Sequence, residues 1–352
     1  MSPATTNGNV QTVKLGTHFC GSESGKAVAV SDRSRTVGPN DVVIDIVASG
    51  LCGTDLHYRK AKGMALGHEG VGVVSQVGSG VTFVEVGARV GWGYNHLSDL
   101  KCNYCLTGRD TLCQQRQMYG AADQDQGSLG DRFVINEAFV HVIPDNLPLR
   151  YAGPLQCGGA TVYGSIVQAD IKPWQRVGVV GIGGLGHLAI QYLKAWGCEI
   201  VAFSTTENKE QEARKLGAHE FVATKSNPEF KGVKPVDHLL ISTDRQPDWK
   251  QFFNIVAHDG TIVPLSVSNE EMKGVPYMAI IAKQLKIVGS LVANRGIHRD
   301  MLTFSARHGI KPITEELPMT EEGVNEALDR LTKGDVRYRF VLTSDRKDPL
   351  FK

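Results

Sequence analysis

The chain has 352 residues, 41% apolar and 21% charged, with a formal net charge of +1. That length suits two domains better than one core, and so slight a charge gives no reason to expect nucleic acid or an anionic membrane as partner. Of the seven cysteines, three fall between Cys102 and Cys113, a clustering that reads as metal ligation before disulfides.

Met1 to Val10 is polar and lacks the basic patch and apolar run of a signal peptide. No stretch approaches about 18 uninterrupted apolar residues, so no membrane span is expected. A cytoplasmic location follows by default. From Val10 to about Pro154 the pattern is short β runs with glycine turns: Val42–Val47 and Gly70–Ser75 are apolar enough for strands, and Gly78 to Gly80 is a turn. No long amphipathic helix appears there.

After Thr161 the texture changes. Arg176–Gly181 is a buried-strand run, followed by a glycine loop and a helix. The apolar stripe of that helix (Leu185, Leu188, Ala189, Tyr192, Leu193, Trp196) closes at Gly197. The alternation continues with a strand over 199–204, a helix over 207–216, a strand over 236–242, a helix near 248–257, and strands over 261–266 and 286–292. Strand and helix in turn predict an α/β, doubly wound parallel sheet. The tail offers a helix over 320–333 and a strand over 337–343, which need the first half's sheet to join. The predicted organisation is residues 1–155, with a cysteine lobe at 92–115, then an inserted nucleotide domain at 156–292, then a return at 293–352.

Gly181, Gly183, Gly184, Leu185 and Gly186 lie in a G-x-G-x-x-G spacing that follows a strand and opens a helix. Backbone N–H groups there can approach a pyrophosphate. An NAD-specific site usually has an acid about 20 residues on. Here stand Ser204, Thr205 and Thr206, with Lys209 behind: hydroxyls and a cation that suit a 2′-phosphate, favouring NADP(H). The plainer alternative is that the hydroxyls end a strand and Lys209 is solvated; Glu207 in the same loop weakens the preference.

Three further segments stand out: Cys52-Gly-Thr54-Asp55-Leu-His57, Gly67-His68-Glu69-Gly70 and Gln156-Cys157-Gly-Gly. Thiolates and neutral imidazole are good zinc ligands, and a catalytic zinc keeps three protein ligands and an open position. Spacing alone does not join the three segments. Each residue also has a bland reading: Cys157 as a small packing residue, Thr54 as a helix cap, His57 as a surface histidine, Asp55 or Glu69 as a loop carboxylate.

Together with the glycine loop and the ending Lys333–Phe340, these motifs resemble the zinc-dependent medium-chain alcohol dehydrogenases. The likeness is to their cinnamyl-alcohol-dehydrogenase branch, including its fungal members. The resemblance implies a Rossmann domain inserted into a β-rich GroES-like catalytic domain. It implies Cys52, His68 and Cys157 as ligands of a catalytic Zn, with Asp55 orienting the histidine. Glu69 would approach the metal during ligand exchange, and Thr54 and His57 would relay the proton. The substrate it implies is a small aldehyde, ketone or alcohol, and the assembly a homodimer joined near Lys286 to Val292.

In the lobe, Cys102, Cys105 and Cys113 match three of the family's four cysteines, and the fourth position is Asp99. Asp99 is expected to complete a structural zinc site, with His96 as rival and an empty lobe of free thiols as the alternative. Cys20 and Cys198 are read as packing residues. Trp92 and Tyr94 are candidates for the pocket wall or for packing. The segment Tyr58–Leu66 is shorter than the family's, so a more open or reshaped entrance is expected. Weighed against carbonyl reduction are an NAD-linked polyol dehydrogenase, disfavoured by Ser204, and a reductase of conjugated C=C or iminium bonds, disfavoured by Thr54 with His57. A non-enzymatic NADPH-binding protein has no use for the ligand set.

Overall fold

The computed structural model describes residues 11–268 and 270–351; the reading of Met1 to Val10 lies outside them. The first half builds most of one sheet from β1 (Asp41–Leu51), β2 (Glu69–Val77), β3 (Arg89–Trp92), β4 (Arg132–Asn136) and β5 (His141–Val142). Their pairing is antiparallel throughout. Between β1 and β2 lies the short helix α1 (Gly53–Tyr58). Tight turns leave no room for long helices here, as the glycine pattern predicts. A helix, α2 (Leu149–Pro154), runs into one π-helical turn over 155–159 and then α3 (Ala160–Gln168).

The second sheet contains β6 (Arg176–Val180), β7 (Glu199–Ser204), β8 (Glu220–Ala223), β9 (Val236–Ile241), β10 (Val256–Pro264) and β11 (Lys286–Ile287). Its order is β8-β7-β6-β9-β10-β11, every pair parallel. Successive residues feed two separate cores: Val177 and Val179 join one, Val180 the other, and Ile200 and Ala202 alternate likewise with Val201 and Phe203. Both faces are therefore buried, as a doubly wound sheet requires. The covering helices include α4 (Gly186–Trp196), α5 (Glu210–Leu216), α6 (Trp249–Ile255) and α7 (Tyr277–Lys283).

The chain then returns through α8 (Arg295–His308), β12 (Thr314–Pro318), α9 (Glu321–Thr332) and β13 (Arg339–Thr343). β13 pairs antiparallel with β1 and parallel with β12, so the first sheet runs β5-β3-β2-β1-β13-β12, with β4 also on β1. The tail does find the sheet it needs.

Some bounds differ from expectation. The strand predicted over 286–292 stops at Ile287: one more ladder bond, from Val288 N–H to the Ile262 carbonyl, is followed by Gly289, and Val292 has φ +43°. The helix predicted over 207–216 opens as a 3₁₀ turn over 207–209 before α5. β10 begins earlier than predicted, at Val256, and closes on Pro264, which has no N–H to continue a ladder. No helix among the described residues is long and apolar enough to cross a membrane.

Candidate active site and metal centres

Cys52 is the N-cap of α1, and Asp55 stands at the third helical position. The Asp55 carboxylate Oδ2 accepts from the Cys52 backbone N–H at 2.9 Å, a reciprocal cap that fixes the cysteine. The cap is therefore Cys52, and Thr54 lies inside the helix. The other oxygen, Oδ1, accepts from His68 Nδ1–H at 3.2 Å and from the Tyr119 hydroxyl at 3.0 Å. With Nδ1–H so engaged, the neutral imidazole presents Nε2 as a bare acceptor. That nitrogen lies 3.5 Å from Cys52 Sγ.

Cys157 arrives from the π-helical turn, whose extra residue per turn re-aims a side chain relative to an α-helix. The sulfurs of Cys52 and Cys157, His68 Nε2 and a Glu69 carboxylate oxygen all lie within 4.8 Å of one another, and all four residues are buried. Zinc takes sulfur at about 2.3 Å and imidazole nitrogen at about 2.0 Å in tetrahedral array, which puts neighbouring donors about 3.5 Å apart. The donor set fits the ion. Side-chain hydrogen bonding between the two thiols pulls Cys52 well below the ordinary thiol range and, with burial, pushes Cys157 well above it.

Sequence reasoning missed two supports, Tyr119 and Arg339. Tyr119 stacks on His68, ring centroids 4.6 Å apart at 24°, while its hydroxyl oxygen accepts from the Gly67 N–H at 3.0 Å. Arg339 on β13 donates to the Glu69 carboxylate. Tyr94 meets the His68 ring edge-on at 5.7 Å. The two aromatic candidates separate: Tyr94 faces the site, whereas Trp92 is fully buried and stacks on Phe133 at 4.6 Å. Thr54 is half-buried and His57 exposed, one turn apart on α1.

In the lobe, Asp99, Cys102, Cys105 and Cys113 form a second group whose donor atoms lie within 4.8 Å of one another. Backbone N–H groups of Lys101 and Cys102 each donate to Asp99 Oδ1 at 3.0 Å. They hold its carboxyl well below the usual carboxylate range. His96 is engaged elsewhere, with Nδ1 on Asp123 Oδ2 at 3.1 Å. Among the described residues, all seven cysteines are free thiols; Cys20 and Cys198 are buried apart from both groups.

The glycine loop joins β6 to α4. Gly181 has φ +88°, and a Cβ on Gly186 would strike the Gly181 carbonyl. A Cβ on Gly183 would meet nothing within 4 Å, so no packing contact demands glycine there. Leu185 caps α4 at its N-terminus. Ser204 ends β7, Thr206 caps the following turn, and Thr205 between them is exposed. Lys209 Nζ donates to the Ile182 carbonyl at 2.6 Å and sits 4.9 Å from the Tyr338 ring centroid. Glu207 accepts from the Ser226 hydroxyl at 2.5 Å, which engages the one acid of that turn.

Residues 38–145 match the family described as alcohol dehydrogenase GroES-like domain, and residues 184–307 match zinc-binding dehydrogenase. A probable formaldehyde dehydrogenase of Bacillus subtilis is 36% identical, over 88% of this chain and 91% of that protein. An NADP-dependent alcohol dehydrogenase of Mycolicibacterium smegmatis is 35% identical, with the same coverage of both. The solved structure of a cinnamyl alcohol dehydrogenase from Sorghum bicolor superposes with TM-score 0.87 at 31% identity, covering 96% of this chain and all of that one. On this sequence and fold similarity, the chain belongs to the zinc-dependent medium-chain alcohol dehydrogenases, in their cinnamyl-alcohol-dehydrogenase-like branch.

Proposed function

We propose that the protein is a zinc alcohol dehydrogenase that transfers hydride between NADP(H) and a small aldehyde or ketone and the corresponding alcohol. The observation that carries this reading is the convergence of the Cys52, His68 and Cys157 donor atoms, from three distant segments, to within 4.8 Å of one another. When bound there, zinc supplies a Lewis acid that polarises the carbonyl oxygen, and NADPH supplies the hydride.

The chain's own residues do the rest. Two thiolates and one neutral imidazole cancel the charge of a divalent ion, so a substrate oxygen can both arrive and leave. Asp55 and Tyr119 fix the His68 tautomer and ring plane, so that Nε2 would be held ready as a ligand. Thr54 Oγ1 gives its proton to the oxygen of the forming alcohol, and His57, exposed one turn away, restores it from solvent. The Gly181–Gly186 loop receives the pyrophosphate at the α4 N-terminus. Ser204, Thr205, Thr206 and Lys209 take the 2′-phosphate, Lys209 leaving the Ile182 carbonyl to do so. Asp99, Cys102, Cys105 and Cys113 hold a second, structural zinc.

The proposed assembly is a homodimer across the free edge of β11. Ile287 on that strand is exposed, and so are Tyr277, Met278 and Ile281 on α7 and the nearby Leu291. A cytoplasmic location accords with seven free thiols.

The test is turnover of an aldehyde panel with NADPH and with NADH, alongside metal analysis. The expected result is about two zinc ions per chain, a preference for NADPH, and loss of turnover in Cys157→Ala. Undiminished turnover in that variant would sink the assignment.

A further inference from the structure

Beside the metal centre lies a small polar recess that the proposed chemistry does not use. Its wall includes Tyr94, Asn95, Asp110, His141, Gln156 and His298. Two of these tie it to the centre: Gln156 precedes the ligand Cys157, and Tyr94 meets the His68 ring. The space has room for about one water-sized group.

The wall is unusual for so buried a place. Asn95, Asp110, His141 and His298 are each at least nine-tenths buried. Both polar side-chain atoms of Asn95, Asp110 Oδ2, His141 Nδ1 and Arg295 Nε, on another lining residue, find no hydrogen-bond partner among the described residues. Each such atom costs about 1–3 kcal/mol unless something polar meets it.

The charges in the wall cancel. Asp110 Oδ1 lies 3.5 Å from Arg295 Nε and accepts from the Arg295 N–H at 3.3 Å. Gln156 Nε2 donates to the Ala152 carbonyl at 3.0 Å, so its Oε1 is left to accept from His298 Nε2–H at 3.0 Å. His141 stacks on His298 with centroids 3.9 Å apart. Burial, with the arginines nearby, keeps both imidazoles neutral: His298 is held down to about 3, and His141 well below its ordinary value. The recess thus offers donors and acceptors together, without net charge, in the space of one oxygen.

We propose that this recess receives a hydroxyl group of the substrate, so that the enzyme selects alcohols and aldehydes carrying a second hydroxyl. This rests on the alcohol–carbonyl chemistry proposed above. A hydroxyl both donates and accepts, which satisfies Asn95 and Asp110 at once. A carboxylate would add a net negative charge to a wall where Arg295 already balances Asp110, and a methyl would leave every orphan unpaired. Sites built to bind a hydroxyl reject the analogue lacking it by large factors, because their own polar groups are then stranded.

The test uses zinc-loaded full-length enzyme with NADP⁺ and matched pairs of straight-chain alcohols: 1-butanol against 1,4-butanediol, 1-pentanol against 1,5-pentanediol, 1-hexanol against 1,6-hexanediol. The ω-hydroxy acids form a third arm. Two equivalent ends alone give a diol a factor of about two in kcat/KM. The expected result is a diol advantage of roughly tenfold or more at one chain length, with the hydroxy acid poorer than either. Asn95→Leu and His141→Val are each expected to bring that ratio back to about two. A thermal shift without NADP⁺, larger with the diol than with the mono-ol, reads the same contact apart from turnover. A ratio of two or less at every length, with the mono-ols oxidised, overturns the hydroxyl subsite and leaves the function standing. No oxidation of any alcohol overturns both.

Discussion

Arg339 on β13 donates to both carboxylate oxygens of Glu69 on β2, and both residues are buried. The guanidinium also runs beneath the glycine loop: a Cβ on Gly184 would lie 3.1 Å from Arg339 Cδ. One side chain therefore links the metal-site strand to the nucleotide loop. Burial works against its charge, but the Glu69 carboxylate and the Cys52 thiolate outweigh that and hold the guanidinium above its ordinary range. Removing one member of a buried pair strands the other. Arg339→Met is expected to cost about 3–5 kcal/mol of unfolding free energy, whereas the double change with Glu69→Gln recovers part of it. Denaturant unfolding of the four proteins in the cycle checks this. Additive losses would mean that the contact contributes nothing.

His187 makes a second link between the halves. Its Nδ1 donates to the Gly183 carbonyl at 2.8 Å, so Nε2 is free to accept from the Ile313 N–H at 3.2 Å, while the ring stacks on Tyr338. Only the neutral imidazole can do both. Burial, against the pull of the Gly183 carbonyl, holds it down to about 4 from an ordinary 6.5. Between those values the unfolded chain binds a proton that the folded chain refuses. The stability His187 contributes is therefore whole above pH 6.5 and is lost as the pH falls toward 4, by up to about 1.4 kcal/mol per pH unit. His187→Gln can donate and accept without titrating. Its unfolding free energy, measured at pH 7, 6 and 5, is expected to fall less steeply than that of the unaltered protein by about that slope. Parallel lines would show that His187 titrates normally in the fold. His18, held down to about 4 by burial, is unchanged between the two proteins and cancels.

The fold was legible where the information is local. The stripe from Leu188 to Trp196, the loop from Gly181 to Gly186 and the alternation of strand and helix each declare themselves within about a dozen residues. The candidate donors Cys52, His68, Cys157 and Asp99 came from the family resemblance, since residue type and spacing alone left their segments unjoined. What stayed hidden depends on contacts between distant positions. Nothing near Tyr119 says that it will stack on His68, and nothing near Arg339 points to Glu69. The π-turn that aims Cys157 has no signature in Leu155–Gly159 apart from its glycines. The stacked pair of His141 and His298 joins β5 to α8, so neither residue read alone suggests a partner. Lys209 shows the converse, for its type suggested a phosphate while its neighbours supply a carbonyl and an aromatic ring.

The lobe gives the sharpest contrast between expectation and alternative, because one atom type decides it. Asp99 sits with three cysteines, its oxygen already accepting two backbone N–H groups, where a sulfur would complete a uniform set. Carboxylate oxygen is a harder donor than thiolate, and zinc in a site of three sulfurs gains from a fourth. The formal charge is the same with either ligand, so softness and competition from the backbone donors are what differ. Asp99→Cys is expected to slow zinc loss to a chelator, by roughly tenfold for each 1.4 kcal/mol gained. Asp99→Ala should drop the metal content from about two per chain to about one and lower the melting temperature. A cobalt-substituted lobe should show stronger sulfur-to-metal charge-transfer absorption in the cysteine variant than in the unaltered protein. If Asp99→Ala retains both ions and the chelator releases zinc from all three proteins at one rate, the carboxylate is not a ligand, and the three thiols must bind without it.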